Sequence, residues 1–345
     1  MSVIVLAIES SCDDTSAAVL KDGVILSNIM AGQDVHEKYG GVIPELASRA
    51  HQQNIVPVTQ EAILEAGIDK SEIDAIAFTR GPGLLGSLIV GTSFAKGLAL
   101  SLNVPLVDVN HLQGHLLSPF LKELGVERVY PSFPFLSLLV SGGHTQIVKV
   151  NDFLSFELLG QTIDDAVGEA FDKCAKIMGL GYPGGPVVDK LSKLGNPNRF
   201  KFSKPKVAGY NYSFSGVKTS LLYFLRDNLK EDPSFITNNI NDLCASFQKT
   251  LIDILLIKLI KAVEETSIKE ITLSGGVSAN SYLRARITQE GEKRGWKTFL
   301  PQLKYTTDNA AMIGIAGYYR YMSGHTSPPN IIPVSRAGDY YEPNR

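Results

Sequence analysis

Apolar and polar residues along the first thirty positions form short runs that predict three consecutive strands. The runs cover residues 3–8, 15–20 and 24–29, and Asp22-Gly23 between the last two is typical of a hairpin turn. Pro44 then suits the first turn of a long helix. The elements predicted after the hairpin are a helix over 44–66, a strand over 73–78, a helix over about 87–102 and a strand over 105–109.

The same plan begins again near residue 135, which indicates a repeat of pattern rather than of sequence. The predicted elements are strands over 135–140, 145–150 and 153–159, a helix from about Asp164, a strand over 271–273 and a helix from Ser278. We therefore predict a duplicated α/β fold with a ligand cleft between its lobes. The alternative is an ordinary doubly wound sheet whose glycines only make turns.

The composition is that of an ordinary folded protein. Of 345 residues, 44% are hydrophobic and 20% are charged, which argues against disorder and gives room for two domains. The apolar run at the start stops at Glu9, so we expect neither a signal peptide nor a membrane span there. Three distant cysteines without a CxxC pair favour a soluble protein of a reducing compartment. The net charge of −2 indicates that the surface as a whole does not attract nucleic acid.

One stretch departs from the mild overall charge and is a candidate nucleic-acid contact. Six cations occur between residues 190 and 206 without an acidic residue, and aromatic residues lie within and just after this stretch. Cations beside flat rings suit phosphate attraction and base stacking. The alternative is a solvated basic loop. The residues are Lys190, Lys193, Arg199, Lys201, Lys204, Lys206, Phe200, Phe202, Tyr210, Tyr212 and Phe214.

Two glycine turns that follow apolar strands are candidate phosphate sites. Ser141-Gly142-Gly143 and Ser274-Gly275-Gly276 can present backbone N–H groups, and the second leads into a helix N-terminus. Neither is a Walker A motif. A third glycine-rich loop over 81–87 could also bind phosphate, but it contains Pro82, which lacks a donor, and this favours a structural connector between the lobes.

The histidines at 111 and 115 are four residues apart, which places both imidazoles on one face of a helix, close enough to share a metal. Leu112 occupies the place of the glutamate in a His-Glu-x-x-His metallopeptidase, so a protease lacks its general base. Asp308, at a probable helix start, is the candidate third ligand. The alternative is a pair of hydrogen-bonded histidines at a lobe boundary.

Six motifs occur in order along the chain. They are Glu9-Ser10-Ser11-Cys12-Asp13-Asp14-Thr15, the pair His111 and His115 with Gly114 between them, Leu139-Val140-Ser141-Gly142-Gly143-His144-Thr145, Tyr182-Pro183-Gly184-Gly185-Pro186, Ser213-Phe214-Ser215-Gly216-Val217-Lys218 and Ser274-Gly275-Gly276-Val277-Ser278-Ala279-Asn280. In this order they closely resemble the TsaD family of tRNA adenosine threonylcarbamoyltransferases, over nearly the whole chain. Asp14 departs from the family, which commonly has glutamate there.

The resemblance implies a duplicated α/β fold of the actin and Hsp70 type (ASKHA, ribonuclease H-like), with two lobes and a central cleft. The expected lobes cover 1–131 and 132–322, with a basic-aromatic insertion at about 190–214 in the second. A C-terminal segment at about 323–345 is expected to pack back on the first lobe.

The resemblance also implies the reaction and its site. A threonylcarbamoyl group passes from threonylcarbamoyl-adenylate to the exocyclic amine of the adenosine 3′ of the anticodon, in tRNAs that read codons beginning with A, and AMP leaves. The cofactor is one divalent metal, iron(II) with zinc as the alternative, on His111, His115 and Asp308. The adenine nucleotide contacts are Leu139, Val140, Ser141, Gly142, Gly143, Asp172, Gly185, Asp189 and Asn280.

Two carboxylates near the first turn, Asp13 and Glu9, are candidates to orient the amine or to take its proton. Bacterial relatives work in the cytoplasm with an inactive paralogue (TsaB-like) and a P-loop ATPase (TsaE-like), so we expect these partners, tRNA and no membrane. A small-molecule kinase of the same fold and a non-catalytic ATP-binding subunit stay as alternatives. Neither has a use for the histidine pair.

Overall fold

The computed structural model describes residues 2–32 and 41–336. In chain order the strands are β1 (Ile4–Glu9), β2 (Thr15–Lys21), β3 (Val24–Ala31), β4 (Ala75–Gly81), β5 (Leu106–Asn110), β6 (Lys122–Glu123), β7 (Phe135–Val140), β8 (Thr145–Val150), β9 (Phe156–Gln161), β10 (Glu270–Ser274) and β11 (Lys297–Phe299). The helices are α1 (Pro44–Ala66), α2 (Leu85–Leu102), α3 (His111–Leu117), α4 (Val167–Ile177), α5 (Gly184–Ser192), α6 (Ser215–Glu231), α7 (Phe235–Thr266), α8 (Ser281–Arg294) and α9 (Ala310–Met322).

The chain divides into two compact units. The first contains the described residues among 1–131, 151–155 and 302–345, and the second contains 132–150 and 156–301. Each unit is built on one mixed sheet with helices against it, so the predicted α/β class is confirmed.

The two sheets repeat one topology. The first has the strand order β5-β4-β1-β2-β3-β6, and the second has β11-β10-β7-β8-β9. In each, the first three strands form an antiparallel meander, and the two later strands add in parallel beside the first strand of that meander. The predicted duplication is therefore present in the connections of the chain.

The central strands are apolar because both faces of each sheet are covered. Every residue of β1 and of β7 is buried. In the first unit α1 packs on β2 and β3, and α2 packs on β4. Helix α2 is the one helix of the described residues that is long and apolar enough to cross a membrane, and its packing on β4 and α1 makes it a covering helix of the sheet.

Helix α9 corrects the predicted boundary at residue 322. The expected second lobe covers 132–322, but α9 packs against β1, β2, β4 and β5 of the first sheet. Two glycines allow this approach: a Cβ at Gly314 would lie 2.3 Å from Leu20 Cδ1, and one at Gly317 would lie 2.4 Å from Ala77 Cβ. The unit boundary is therefore set by close helix–sheet packing far along the chain.

The residues at 151–155 also belong to the first unit, which is why the strand predicted over 153–159 begins at 156. Phe153 stacks on Tyr319 of α9 with ring centroids 3.5 Å apart. This ring contact accompanies the assignment of residues 151–155 to the first unit, apart from the strand that follows them.

The described part of the C-terminal segment lies against β4 and β5. Ser327 N–H donates to Leu106 O at 2.7 Å, and Val334 N–H donates to Arg80 O at 2.9 Å. The prediction over 323–345 extends beyond these contacts, because residues 337–345 lie outside the described residues.

Substitution of Gly317 by alanine tests the packing of α9. Since the added Cβ would meet Ala77 Cβ at 2.4 Å, where a strand cannot move freely, we expect a loss of about 1–3 kcal/mol of unfolding free energy. Gly97→Ala in α2 is the control, because its Cβ meets nothing within 4 Å and alanine favours a helix by about 1 kcal/mol. Urea unfolding measures both, and a neutral Gly317→Ala would contradict the packing.

Candidate metal centre and nucleotide pocket

The two histidines lie at the junction of β5 and α3. Asn110 ends the strand and caps the helix, since its Oδ1 accepts from the N–H groups of Leu112 at 2.7 Å and Gln113 at 3.3 Å. The four-residue spacing then places the rings of His111 and His115 on one face, with centroids 4.8 Å apart and planes at 89°. Both histidines are buried.

Asp308 reaches the histidines because it lies just before α9. The helix N-terminus is fixed by three side chains: Asn309 caps it, Ser16 Oγ accepts from Ala310 N–H at 2.9 Å, and Asn28 Oδ1 accepts from Ala311 N–H at 3.1 Å. Asp308 Oδ1 is 3.0 Å from His115 Nε2 and 3.3 Å from His111 Nε2. The three predicted metal ligands are therefore together in the first unit.

This donor set fits a divalent transition metal. The three ligand atoms, two imidazole nitrogens and one carboxylate oxygen, lie within 4.8 Å of one another. Zinc and non-haem iron(II) both take such ligands, and three protein ligands leave positions for a substrate. Helix α3 provides both imidazoles, and the residues just before α9 provide the carboxylate.

The charges around His111 favour its protonated form when no cation is bound. Burial opposes protonation of the ring, but the carboxylates of Asp308 and Glu9 raise the pKa of His111 well above its usual value. Burial likewise opposes ionisation of Asp308, yet the two histidines hold its pKa well below the ordinary range. A metal ion must therefore displace a proton from His111, and acid weakens its binding.

Glu9, a candidate for amine activation, lies where a substrate cannot reach it. Its side chain is fully buried. Glu9 Oε1 accepts the backbone N–H of Ser11 at 2.5 Å, and Oε2 accepts the hydroxyl of Thr79 at 2.5 Å and lies 3.2 Å from His111 Nδ1. Both oxygens thus have protein partners, and this geometry corrects the assignment of Glu9 to proton transfer from the substrate.

Asp13 and Asp14 lie in the turn that follows, and both are partly exposed. Asp13 therefore keeps the access that a contact with substrate requires. Burial, followed by the charges of Asp13, Asp308 and Glu9, raises the pKa of Asp14 to about 7. In sequence Asp14 is only a departure from a family pattern, whereas in the structure three other carboxylates lie close enough to raise its pKa.

A cavity of about 360 Å³ in the second unit contains five of the nine residues predicted to bind a nucleotide. Those five are Gly142, Asp172, Gly185, Asp189 and Asn280. The further lining residues come from the same turns and helices and include two cations of α5 and its C-terminal end: Gly168, Phe171, Pro183, Pro186, Lys190, Lys193, Gly276, Val277 and Ala279.

The two glycine turns leave open space at this cavity. A Cβ built on Gly142 or on Gly276 would meet no atom within 4 Å. Packing within the protein therefore does not demand glycine at these positions, and the bare backbone leaves room for a ligand such as a phosphate or a sugar. This is the observation on which the fit of a nucleotide to the cavity depends.

The polar residues of the cavity also hold its walls together. Asp172 Oδ1 accepts the N–H of Gly184 at 2.7 Å, which fixes the start of α5. Asp189 accepts the hydroxyl of Ser281 at 2.9 Å, which joins α5 to α8. Asn280 donates from Nδ2 to Gln248 Oε1 at 2.7 Å. These contacts rigidify the pocket, so substitutions there change both its shape and its chemistry.

Four of the predicted nucleotide contacts do not line the cavity. Leu139 and Val140 are fully buried in β7, and Ser141 and Gly143 lie in the turn that follows. Ser141 instead closes that turn, since its N–H donates to His144 O at 2.8 Å. Lys190 and Lys193 of the basic stretch also line the cavity. Their i, i+3 spacing, which places two side chains on the same face of a helix, is the sequence signal that could have predicted this.

Comparison with known proteins shows the family. The family model for TsaD, tRNA N6-adenosine threonylcarbamoyltransferase, matches residues 24–315. A Porphyromonas gingivalis protein of that name is 63% identical over 334 residues, which are 97% of this chain and 98% of the relative. One from Christiangramia forsetii is 61% identical over 332 residues, 96% of this chain and 97% of the relative.

This chain belongs to the TsaD family. It is accordingly a transferase of the kind that modifies tRNA. A structure of full-length HypF in the phosphate- and nucleotide-bound form resembles it with a TM-score of 0.60 at 14% identity, over 93% of this chain and 46% of HypF. At that identity the likeness supports the ASKHA-type fold and nothing more.

The basic-aromatic stretch of this TsaD-family protein differs from the sequence prediction. Its rings do not offer a stacking platform, because Phe202, Tyr212 and Phe214 are buried in the second unit's core. Phe200 is also packed inward, against Phe224 and Phe235. The helices α6 and α7 form an apolar core that takes up the rings and leaves the cations outside. The prediction of base stacking is therefore wrong for the buried rings of Phe202, Tyr212 and Phe214, whereas Tyr210 is half-buried and donates its hydroxyl to Glu265.

The raised pKa of Asp14 predicts a pH-dependent cost to stability in the metal-free protein. The folded-state pKa is about 7 against 3.8 in the unfolded chain, so Asp14 costs no stability below pH 3.8 and its ionisation lowers stability progressively as pH rises to 7. Asp14→Asn removes this loss, and we expect a gain of about 1–3 kcal/mol at pH 8 and none near pH 4.

Urea unfolding of the metal-free protein at both pH values measures this difference. Glu61→Gln in the exposed part of α1 is the control, since it removes a carboxylate outside the cluster. An Asp14→Asn gain that is equal at both pH values would contradict the assignment.

Proposed function

We propose that this chain transfers a threonylcarbamoyl group from threonylcarbamoyl-adenylate to N6 of the adenosine 3′ of the anticodon, in tRNAs that read codons beginning with A. The observation that carries the proposal is the convergence of His111, His115 and Asp308 in a member of the TsaD family. A kinase of the same fold has no use for these three ligands. A non-catalytic subunit has none either.

The reaction forms one bond and breaks another. The amine nitrogen N6 attacks the carbamoyl carbon, the bond from that carbon to the phosphate oxygen of the adenylate breaks, AMP leaves, and a proton of N6 must be accepted. When bound, iron(II) or zinc supplies a Lewis acid for the developing negative charge. His111, His115 and Asp308 would hold the metal, with iron(II) as the proposed native ion.

The cavity of the second unit is the proposed site of the adenylate. Gly142 and Gly276 leave the space for close approach of the nucleotide, and Asp172, Asp189 and Asn280 offer carboxylate and amide groups for a ribose or a base. Lys190 and Lys193 add positive charge at the same cavity, which suits a phosphate. Asp13, with its partial exposure, is the proposed group that orients the amine or accepts its proton.

The acceptor is large and needs charge outside the pocket. Lys201 and Lys206 are exposed and belong to no ion pair among the described residues, whereas Lys204 is neutralised by Asp253 at 2.8 Å. We assign the two free lysines, with Arg199, to the tRNA phosphates.

Charge reversal at Lys201 and Lys206 should lower tRNA affinity and flatten its salt dependence, and an unchanged salt slope excludes the assignment.

Exposed apolar side chains on α1 and α2 suit the partner subunits. Val56, Leu64, Leu85, Ile89 and Leu100 are each between 46% and 85% exposed. We assign them to a TsaB-like inactive paralogue, with a TsaE-like P-loop ATPase as the second partner and the cytoplasm as the location. Native mass spectrometry of the co-expressed proteins checks the assembly, and absence of a complex excludes it.

Loss of metal ligands should abolish the modification. We expect His115→Ala and Asp308→Asn to lower transfer at least about 100-fold, because several kcal/mol of transition-state stabilisation depend on the metal. The measurement is nucleoside analysis of tRNA by mass spectrometry, in cells that have each variant as their only copy. His325→Gln, in the turn after α9, is the matched control, and normal modification with either ligand variant would overturn the proposal.

Replacement of Asp13 by asparagine tests the amine-activating role. Because the amide cannot accept a proton, we expect turnover to fall about 100-fold or more, with metal content and adenylate affinity kept. Single-turnover assays with purified tRNA and threonylcarbamoyl-adenylate measure the rate. Unchanged turnover would remove Asp13 from the mechanism and leave the metal and pocket assignments standing.

A further inference from the structure

Glu9 has a position that the proposed reaction does not use directly. It ends β1, its side chain is fully buried, and its Oε2 lies 3.2 Å from Nδ1 of His111. On the opposite side of that ring, Nε2 lies 3.3 Å from Asp308 Oδ1, where the metal site is proposed. The imidazole of His111 thus stands between two carboxylates, of which only one belongs to the ligand set.

The contacts of Glu9 determine which nitrogen of His111 carries the proton. The backbone N–H of Ser11 can only donate, and it holds Oε1 at 2.5 Å. Thr79 donates its hydroxyl to Oε2. An ionised carboxylate can only accept, so a hydrogen bond between Glu9 and His111 requires the proton of His111 to be on Nδ1. Ser11 Oγ, 3.1 Å from the same nitrogen, can accept as well.

We propose that Glu9 is a positioning residue for the metal centre: its carboxylate holds the proton of His111 on Nδ1, so that Nε2 presents its lone pair to the metal. A carboxylate behind a ligating histidine fixes the ring orientation and raises its basicity as a ligand. This inference rests on the proposed metal site, and it extends the ligand triad by one residue that does not touch the ion.

The second histidine shows that this support is specific. His115 Nδ1 is buried and has no hydrogen-bond partner among the described residues. Its Nε2 faces Asp308 at 3.0 Å, as that of His111 does. Of the two imidazole ligands, therefore, one is oriented by a buried carboxylate and the other by packing in α3. A change at Glu9 should act on metal binding through His111 alone.

Glutamine at position 9 would move the proton of His111 from Nδ1 to Nε2. Its one carbonyl oxygen must stay on the Ser11 N–H, because that donor cannot become an acceptor. The amide nitrogen then faces Thr79, whose hydroxyl can accept, and His111 Nδ1, to which it donates. That arrangement leaves the proton on Nε2, where it blocks coordination. Glu9→Asp keeps a carboxylate and should restore part of the lost affinity.

The test uses the full chain, stripped of metal, and cobalt(II) as the probe. Titration against a competing chelator, followed by the visible absorbance of the bound ion, gives the affinity. We expect Glu9→Gln to weaken cobalt binding 10- to 100-fold. Asp74→Asn is the matched control: it makes the same chemical change at the other end of β1, where Asp74 Oδ2 accepts the N–H of Ile4 at 2.7 Å. It should change the affinity less than threefold.

A second measurement covers the case in which Glu9→Gln does not fold. In the zinc-loaded wild-type chain with ¹⁵N-labelled histidine, we expect a protonated Nδ1 and a coordinated Nε2 for His111. A coordinated Nδ1, or a Glu9→Gln affinity within threefold of wild type, would overturn the role of Glu9 and leave the metal site in place. Failure of the wild-type chain to bind cobalt or zinc would instead overturn the metal site itself.

Discussion

A single carboxylate oxygen, Asp308 Oδ1, is placed within 3.3 Å of the Nε2 atoms of two histidines that lie nearly two hundred residues earlier in the chain. That convergence depends on how closely α9 approaches the first sheet. Gly314 and Gly317 allow the contact with Leu20 and Ala77, and Ser16 and Asn28 fix the first turn of the helix. A packing constraint along the whole of α9 thus determines the geometry of a site at its end.

The same topology carries different chemistry in the two units. In the first sheet, β1 ends at the buried carboxylate of Glu9, and the turn that follows contains Asp13 and Asp14. The corresponding meander of the second sheet has a serine–glycine turn after β7 and no acidic group there. One unit therefore contains the candidate metal ligands and a group of carboxylates, while the other provides open backbone and a cavity of about 360 Å³. The two units thus share one topology, and they differ in the residues of the turns after β1 and β7.

Local patterns predicted the local structure well. The helix over 44–66 and the strands over 135–140 and 145–150 have the predicted bounds, because a proline at a helix start and apolar runs between turns act over a few residues. The metal triad was also predictable in part, since the four-residue histidine spacing is a local signal. The choice of Asp308 gained its support from the resemblance of the whole motif set.

Interactions between distant residues account for what the sequence did not predict. The packing of α9 on the first sheet depends on contacts of its glycines with strands more than two hundred residues earlier in the chain, and the hydrophobic periodicity of the sequence does not predict such contacts. Phe202 and Tyr212 looked like stacking residues beside cations, but α6 and α7 bury them. Glu9 looked like a base from its place in a motif, and only its partners Ser11, Thr79 and His111 show that it faces inward.

The most direct measurement of the central claim is an anomalous difference map from crystals of the zinc-loaded chain, recorded at the zinc absorption edge. The account predicts one strong peak within coordinating distance of Nε2 of His111, Nε2 of His115 and a carboxylate oxygen of Asp308. A strong peak at other residues, with none at these three, would contradict it.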